Sequence, residues 1–287
     1  MKLVSSAKLR KAQNAIEAMR PYEETLQGML ASLQGSSTWK ADSVLEAPAG
    51  EGSSTTEAPS VLGAAEQAPK HTVIVAIASN SSLCGGFNAN VIAKVRSLRQ
   101  PGDIVYSVGR KMADAMRRDG FATPEDLNAL IERPSYGPAA QLVEKLAEDC
   151  KEGRVEKVLL VYTHFVSTAR QVPVVETLLQ KAGGDALSVA SALSLAEERV
   201  SSSQDDLLIE PGRKALRAAL EPKTLKLKLY AALLDSSAAE HAARTVAMQT
   251  ATDNAENLLS ELTLQYNKGR QQKITSEILD LAGGQTE

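Results

Sequence analysis

Two hydrophobic periods divide this chain. From Leu225 to Leu281, a stretch without proline, apolar or small residues recur at alternating three- and four-residue steps. They are Leu227, Tyr230, Leu234, Ser237, His241, Thr245, Met248, Thr252, Ala255, Leu259, Leu262, Tyr266, Ile274, Ile278 and Leu281. A repeat near 3.5 residues predicts a coiled-coil seam, not the broader face of a globular helix. A helix over this stretch is about 80 Å long at 1.5 Å per residue, wider than a typical domain, so it is expected to project. Residues 1–33 carry a weaker stripe: Val4, Leu9, Ala12, Ile16 and Met19. Pro21 is expected to kink or interrupt that helix, because it removes one backbone donor. Neither stripe forms a core alone, and each is the other's obvious partner.

Between these ends the period changes. HTVIVAIAS, from His71, is an apolar run of strand length, as expected for a parallel strand buried on both faces. The helical NANVIAKVRSLR follows, then the strand DIVYSV, two helices (GRKMADAMRRDG and PAAQLVEKLAEDC) and the strand VEKVLLVYTHF. VPVVETLL adds a further strand or edge segment, and LLIEP at 207–211 reads as a last short strand ended by Pro211. The rhythm predicts an α/β fold with a small doubly wound sheet. Residues 34–69 break the pattern, being rich in Ser, Gly, Ala, Pro and Thr. Such a stretch buries too little apolar surface to offset its ordering entropy, and is expected to be a linker or surface insertion. Trp39 is its one large aromatic.

Composition narrows the function. The 32 basic and 35 acidic residues leave a net charge of −3, which gives no footprint for nucleic acid. No apolar run is long enough to span a bilayer. Cys84 and Cys150 form no CxxC motif and read as free thiols. His71, His164 and His241 are scattered singly, so no metal site is expected. Carboxylates lie on helix faces beside Lys and Arg, and no catalytic constellation or cofactor motif emerges. The turn Ser82-Leu83-Cys84-Gly85-Gly86-Phe87-Asn88 opens a helix after the first strand, where backbone N–H groups can meet a phosphate. Its spacing is neither GxGxxG nor GxxxxGK[ST], and a tight strand-to-helix turn centred on Cys84, Gly85 and Gly86 is the simpler reading.

Four strings carry a resemblance. EHAARTVAMQTATDNA and LTLQYNKGRQQKITSEI in the tail, the SLCGGFN turn, and KLVSSAKLRKAQ followed by RPY occur in order along the chain. Together they resemble the gamma subunit of rotary, proton-translocating ATP synthases of bacterial type. That resemblance implies an antiparallel coiled coil of the two termini with a Rossmann-like α/β domain inserted between them. The division then expected is 1–33 for the N-terminal coiled-coil helix, 34–69 for the linker, 70–210 for the Rossmann-like domain and 211–287 for the C-terminal coiled-coil helix. It implies a non-catalytic central stalk, without cofactor, that couples proton transport to ATP synthesis or hydrolysis in a catalytic hexamer. Its implied partners are the catalytic and non-catalytic subunits of the head, the epsilon subunit and the membrane c-ring. Its implied place is the cytoplasmic face of the bacterial inner membrane, peripherally bound.

The resemblance also assigns residues. Arg270, Gln271 and Thr275 are expected to contact the hexamer, and Met248, Leu259, Leu262 and Tyr266 to line the coiled-coil seam. Met248 and Leu259 in particular are expected to face the N-terminal helix. Asn80-Ser81-Ser82 departs from the family's acidic, basic, glycine sequence before the turn. Thr245 replaces a usual Met, and Gly269 a usual Ala, at a helix cost of roughly 1 kcal/mol. The cysteine-bearing insertion of the chloroplast form is missing, so thiol control is not expected. Met1 aligns within the family's first helix, so roughly 20 further residues, about 30 Å of helix, are expected upstream. Two other classes fit the residues alone: a coiled-coil adaptor carrying a Rossmann-like domain outside any ATP synthase, and a nucleotide-dependent enzyme using the 82–88 loop.

Overall fold

The computed structural model describes residues 2–34, 71–121, 124–181, 187–188 and 212–283. The expected linker beyond Gln34, with Trp39, and the strand expected at 207–211 lie outside the described residues. The elements run α1 (Lys2–Gln34), β1 (His71–Ile77), α2 (Phe87–Leu98), β2 (Ile104–Val108), α3 (Arg110–Arg118), α4 (Asn128–Glu132), α5 (Tyr136–Lys151), β3 (Val155–Phe165), β4 (Gln171–Lys181), β5 (Leu187–Ser188) and α6 (Arg213–Gly283).

The five strands form one sheet in the order β2-β1-β3-β4-β5. β1 pairs in parallel with both β2 and β3. Along β1 the side chains alternate between two apolar layers. Ile74 and Ala76 join Val91, Val95, Met112 and Met116 of α2 and α3. Val73, Val75 and Ile77 join Leu142 and Leu146 of α5 and Leu225, Leu229 and Leu233 of α6. A strand buried on both faces must be apolar throughout, as this one is. At the end of β2 the chain passes close to β1. A Cβ on Gly109 (φ 104°) would lie 2.1 Å from the Ala78 carbonyl oxygen, so only glycine fits there.

The expectation of a doubly wound sheet needs correction on one side. Helices cover both faces, but β4 runs antiparallel to β3, and β5 antiparallel to β4. The β3–β4 connection, residues 166–170, is too short for a helical crossover. It closes as a hairpin in which Ser167 and Arg170 exchange backbone hydrogen bonds at 3.0 and 3.1 Å.

α1 and α6 pack antiparallel. Leu9 and Ala12 meet Ala238 and Ala242, whereas Leu26 and Leu30 meet Leu220 and Leu227. The face of α1 against α6 and the body is Ser5, Leu9, Ala12, Ile16, Met19, Glu23, Leu26, Leu30 and Leu33, a strict alternation of four and three. Val4, expected on that stripe, is exposed, and Ser5 takes its place because the alternation from Leu9 steps back four residues. Nor does Pro21 interrupt the helix. An interior proline costs about 3 kcal/mol, and the burial of Leu26 and Leu30 beyond it outweighs that cost. α6 likewise runs through Pro222, for 71 residues from Arg213, about 105 Å.

Candidate functional site

The α/β body is fastened to the helix pair at two places on the proximal half of α6, and a polar cluster lies further along that half. The first is the turn between β1 and α2. Leu83 (φ 65°) and Gly85 (φ 56°) adopt left-handed backbone conformations that swing the chain back on itself. Asn88 holds the turn closed: its Oδ1 accepts the Ser79 N–H at 3.0 Å, and its Nδ2 donates to Cys84 Sγ at 3.1 Å. Cys84 and Phe87 pack on Ala239 and Ala243 with Phe165. Only small residues on α6 permit that approach, and a Cβ on Gly85 would sit 3.9 Å from Ala247. Asn80 was noticed in the sequence only as a departure. Here its Oδ1 accepts the Arg110 N–H at 2.9 Å and its Nδ2 donates to the Asn128 carbonyl at 2.9 Å. An aspartate could not make the second bond.

A cleft of about 180 Å³ remains beside this turn, lined by Gly86, Asn90, Thr163, Gln171, Pro173 and Val246 among others. No cation lines it, and it is smaller than the several hundred Å³ usual for organic ligands. Among the described residues no cluster of His, Cys, Asp or Glu is set to hold a metal ion.

The second fastening is ionic and was not foreseen. Lys228 of α6 is almost wholly buried, and its Nζ lies 2.9 Å from Glu176 Oε2 of β4 and 3.3 Å from the Thr177 carbonyl. Tyr162 on β3 donates its hydroxyl to Glu176 Oε1 at 2.8 Å. Burial, then the Glu176 carboxylate, push the Tyr162 hydroxyl well above the usual tyrosine range. Glu23 of α1 faces the same group. Burial first, then Glu176, hold its carboxyl above the usual range, although Lys228 pulls it down. Further along α6, Asp235 accepts the Phe165 N–H at 2.9 Å and lies 2.5 Å from His164 Nδ1. The available signal in the sequence was a lysine and an aspartate set into the apolar run LKLKLYAALLD.

The polar cluster, nearer the start of α1, is made within α6 itself. Arg244 Nη2 donates to Glu240 Oε1 at 2.7 Å, and Nη1 lies 3.3 Å from His241 Nδ1. Burial holds the Glu240 carboxyl up despite Arg244. Burial, with Arg244 and Lys8 adding to it, pushes the His241 imidazole down to about 4.

The structure separates the other residues singled out in the sequence from these fastenings. Met248 is half-buried, beside Gln249, whose side chain receives a hydrogen bond from Lys2 at the start of α1. Leu259, Leu262 and Tyr266 are 69%, 61% and 69% exposed. Leu259 therefore does not face α1 within this chain, because Lys2 already stands opposite Gln249. Arg270, Gln271 and Thr275 are exposed on the same distal stretch, where Thr275 donates its hydroxyl to the Gln271 carbonyl at 2.8 Å.

A family model described as ATP synthase matches residues 1–286. The ATP synthase gamma chain of Phocaeicola vulgatus is 40% identical, covering 99% of this chain and 91% of its own length. That of Bacteroides fragilis strain YCH46 is 41% identical over the same shares, and that of Flavobacterium johnsoniae 35% identical over 99% and 90%. Among solved structures, a chain of the central stalk and c-ring of the Tetrahymena thermophila mitochondrial ATP synthase has the same fold. It superposes with a TM-score of 0.56 at 23% identity, covering 88% of this chain and 97% of that one.

Proposed function

The chain belongs to the ATP synthase gamma-chain family, and from that premise we propose how its two-part helix serves as the shaft of a rotary motor. It is a non-catalytic subunit, the central stalk through which proton flow and ATP synthesis or hydrolysis are coupled. One observation carries the mechanical reading. A single helix, α6, is gripped along its first half by α1 and the α/β body, and leaves its second half bare with Leu, Ile and Tyr exposed.

The proximal half and α1 then form an antiparallel coiled coil standing on a Rossmann-like body, with residues 1–33, 34–69, 70–210 and 211–287 as its four segments. The parallel β1–β2–β3 core supports the Rossmann-like description, and the four-three alternation of the α1 face supports the coiled coil. The distal half enters the sleeve of catalytic and non-catalytic subunits. There Leu259, Leu262 and Tyr266 face apolar walls, and Arg270, Gln271 and Thr275 reach polar loops by charge-assisted and neutral hydrogen bonds. The body meets the epsilon subunit and the c-ring on the cytoplasmic face of a bacterial inner membrane. Among the described residues no helix is long and apolar enough to cross a membrane, which suits a peripheral subunit held by its partners.

The adaptor reading gains nothing from relatives that are ATP synthase gamma chains along nearly their full length. The enzyme reading rests on the 82–88 loop, and among the described residues the cleft beside that loop is lined by no cation. The test is the assembled complex in proteoliposomes. Arg270→Ala, Gln271→Ala and Thr275→Ala together are expected to leave the subunit folded and assembled while lowering proton-driven ATP synthesis at least about tenfold. Unaltered synthesis by the triple variant removes the contact assignment. Failure of the unaltered chain to co-purify with catalytic subunits removes the shaft reading itself.

A further inference from the structure

A shaft that transmits torque must not turn within its own body. Apolar packing is non-directional, and the Leu225, Leu229 and Leu233 face of α6 would by itself tolerate slippage against the sheet. Directional bonds are what oppose it. To the sheet, α6 makes them from two residues seven positions apart, hence on one face and about 10 Å apart along the axis, while Lys226 adds an ion pair to Glu144 of α5. Lys228 bonds to Glu176 Oε2 and to the Thr177 carbonyl on β4. Asp235 accepts the Phe165 N–H and lies against His164 on β3. Two attachments separated along the axis resist both rotation and sliding.

Lys228 has a second role. It is the one ammonium between two carboxylates, Glu176 on the hairpin and Glu23 on α1, and so it stands where both helices and the body meet. We propose that Lys228, Glu176 and Glu23 are positioning residues for rotary coupling, an ionic clamp that fixes the twist of the helix pair against the α/β body. Glu176 is the anchored arm, held also by the Tyr162 hydroxyl. Glu23 is the adjustable arm.

The groups facing Glu23 are Arg20 and Glu24 on α1, Glu176 on β4 and Lys228 on α6, with Tyr162 and Asp235 adjoining Glu176. Arg20 pairs with Glu24 on the surface, which leaves two carboxylates, Glu23 and Glu176, to the one ammonium of Lys228. A proton on Glu23 relieves that excess and leaves Lys228 wholly to Glu176. Because the Glu23 carboxyl is held above its ordinary range, its contribution to clamp stability is present at lower pH. That contribution is lost as pH rises through the raised value. The clamp therefore tightens on acidification.

This rests on the shaft reading, and assembly is measured separately so that the two can fail independently. The complex carrying each variant is reconstituted in proteoliposomes, and the ratio of proton-driven synthesis to ATP hydrolysis is read. Lys228→Met is expected to assemble and to lower the ratio about fivefold or more. The double variant Glu176→Gln with Lys228→Met removes both charges of the Lys228–Glu176 pair, yet lacks the clamp, so its ratio stays low. Recovery in the double variant would show that the single change acted only through a stranded charge, and would overturn the proposal. Should Lys228→Met not assemble, Glu176→Gln carries the test, and an unchanged ratio overturns it. Glu23→Gln fixes the neutral form. Its advantage over the unaltered complex is expected to shrink as pH falls, because the unaltered Glu23 then takes up the proton that the variant mimics. A pH-independent quotient between the two refutes the role of Glu23.

Discussion

The two halves of α6 are one continuous helix made under opposite constraints. Between residues 220 and 243 it is buried nearly all round, with α1 on one side and the sheet and α5 on the other. From residue 250 to 281 every side chain is exposed. Yet the distal half is not more polar in the way a solvated helix would be, for Leu258, Leu259, Leu262, Leu264, Tyr266, Ile274, Ile278, Leu279 and Leu281 all stand in water. The proximal half uses Ala238, Ala239, Ala242 and Ala243 to bring neighbours close. The distal half uses large side chains to reach out. Close packing specifies an internal partner, whereas large exposed apolar groups specify one outside the chain.

The largest expected effect separates the halves directly. Leu229→Asp or Leu233→Asp puts a charge at a fully buried site and is expected to cost about 4 kcal/mol or more, enough to unfold most of the isolated chain. Leu259→Asp should change unfolding free energy by less than about 0.5 kcal/mol in the isolated chain. It should nonetheless abolish co-purification with the head. Urea denaturation followed by circular dichroism, paired with complex yield, reads both. Equal stability losses in the two halves would mean that the distal stretch is packed on its own chain in solution.

This division explains what was legible in the sequence. β1 was readable because burial on both faces demands an unbroken apolar run, and β3 from its apolar centre Val158–Val161. The length of α6 was readable because its repeat holds over so many turns, but the seam expected along it is exposed from residue 250 onward. The direction of β4 was not, since VPVVETLL reads alike in either orientation and only the length of the 166–170 connection decides it. Nor was the face of α1 fixed near its start: Val4 and Ser5 differ by one residue, and the better hydrophobe lost to the geometry of the four-three alternation. The ionic fastenings were invisible for a related reason. Lys228, Glu176, Tyr162 and Glu23 lie on four elements, and nothing in any one segment pairs them. Arg270, Gln271 and Thr275 came from the resemblance alone, since periodicity marks them only as exposed.

A smaller effect tests the chemistry of the buried half. In an unfolded chain a histidine takes up its proton near pH 6.5, whereas the folded His241 resists until about 4. A depressed histidine value means that the unfolded state binds more protons over that window, so stability falls as pH falls from about 6.5 to about 4. Glu240, whose carboxyl is held up by burial, acts with the opposite sign, gaining stability as pH falls. His241→Gln should reduce the loss of unfolding free energy between about pH 7 and pH 4.5 by on the order of 1 kcal/mol, discounted because the ring is only half-buried. Urea titrations at the two pH values measure it. The distal half holds no histidine, so an equal change in its fraying with pH would contradict the assignment of this acid sensitivity to the buried half.

The smallest effect probes the bare half alone. Gly269 sits inside a helix, and a Cβ added there would meet nothing within 4 Å. Alanine therefore gains helix propensity of about 1 kcal/mol with no steric penalty, partly by restricting the unfolded chain. In the buried half such a gain would appear as global stability, because helix and core unfold together. In the distal half no side chain is buried against the body, so the gain should stay local. Amides beyond about residue 260 should exchange roughly fivefold more slowly in Gly269→Ala, as about 1 kcal/mol implies, while the midpoint of global unfolding stays within error. A shift of the global midpoint without slower distal exchange would show that the two halves unfold as one unit. The contrast between gripped and bare helix would then describe only exposure, not separate stability.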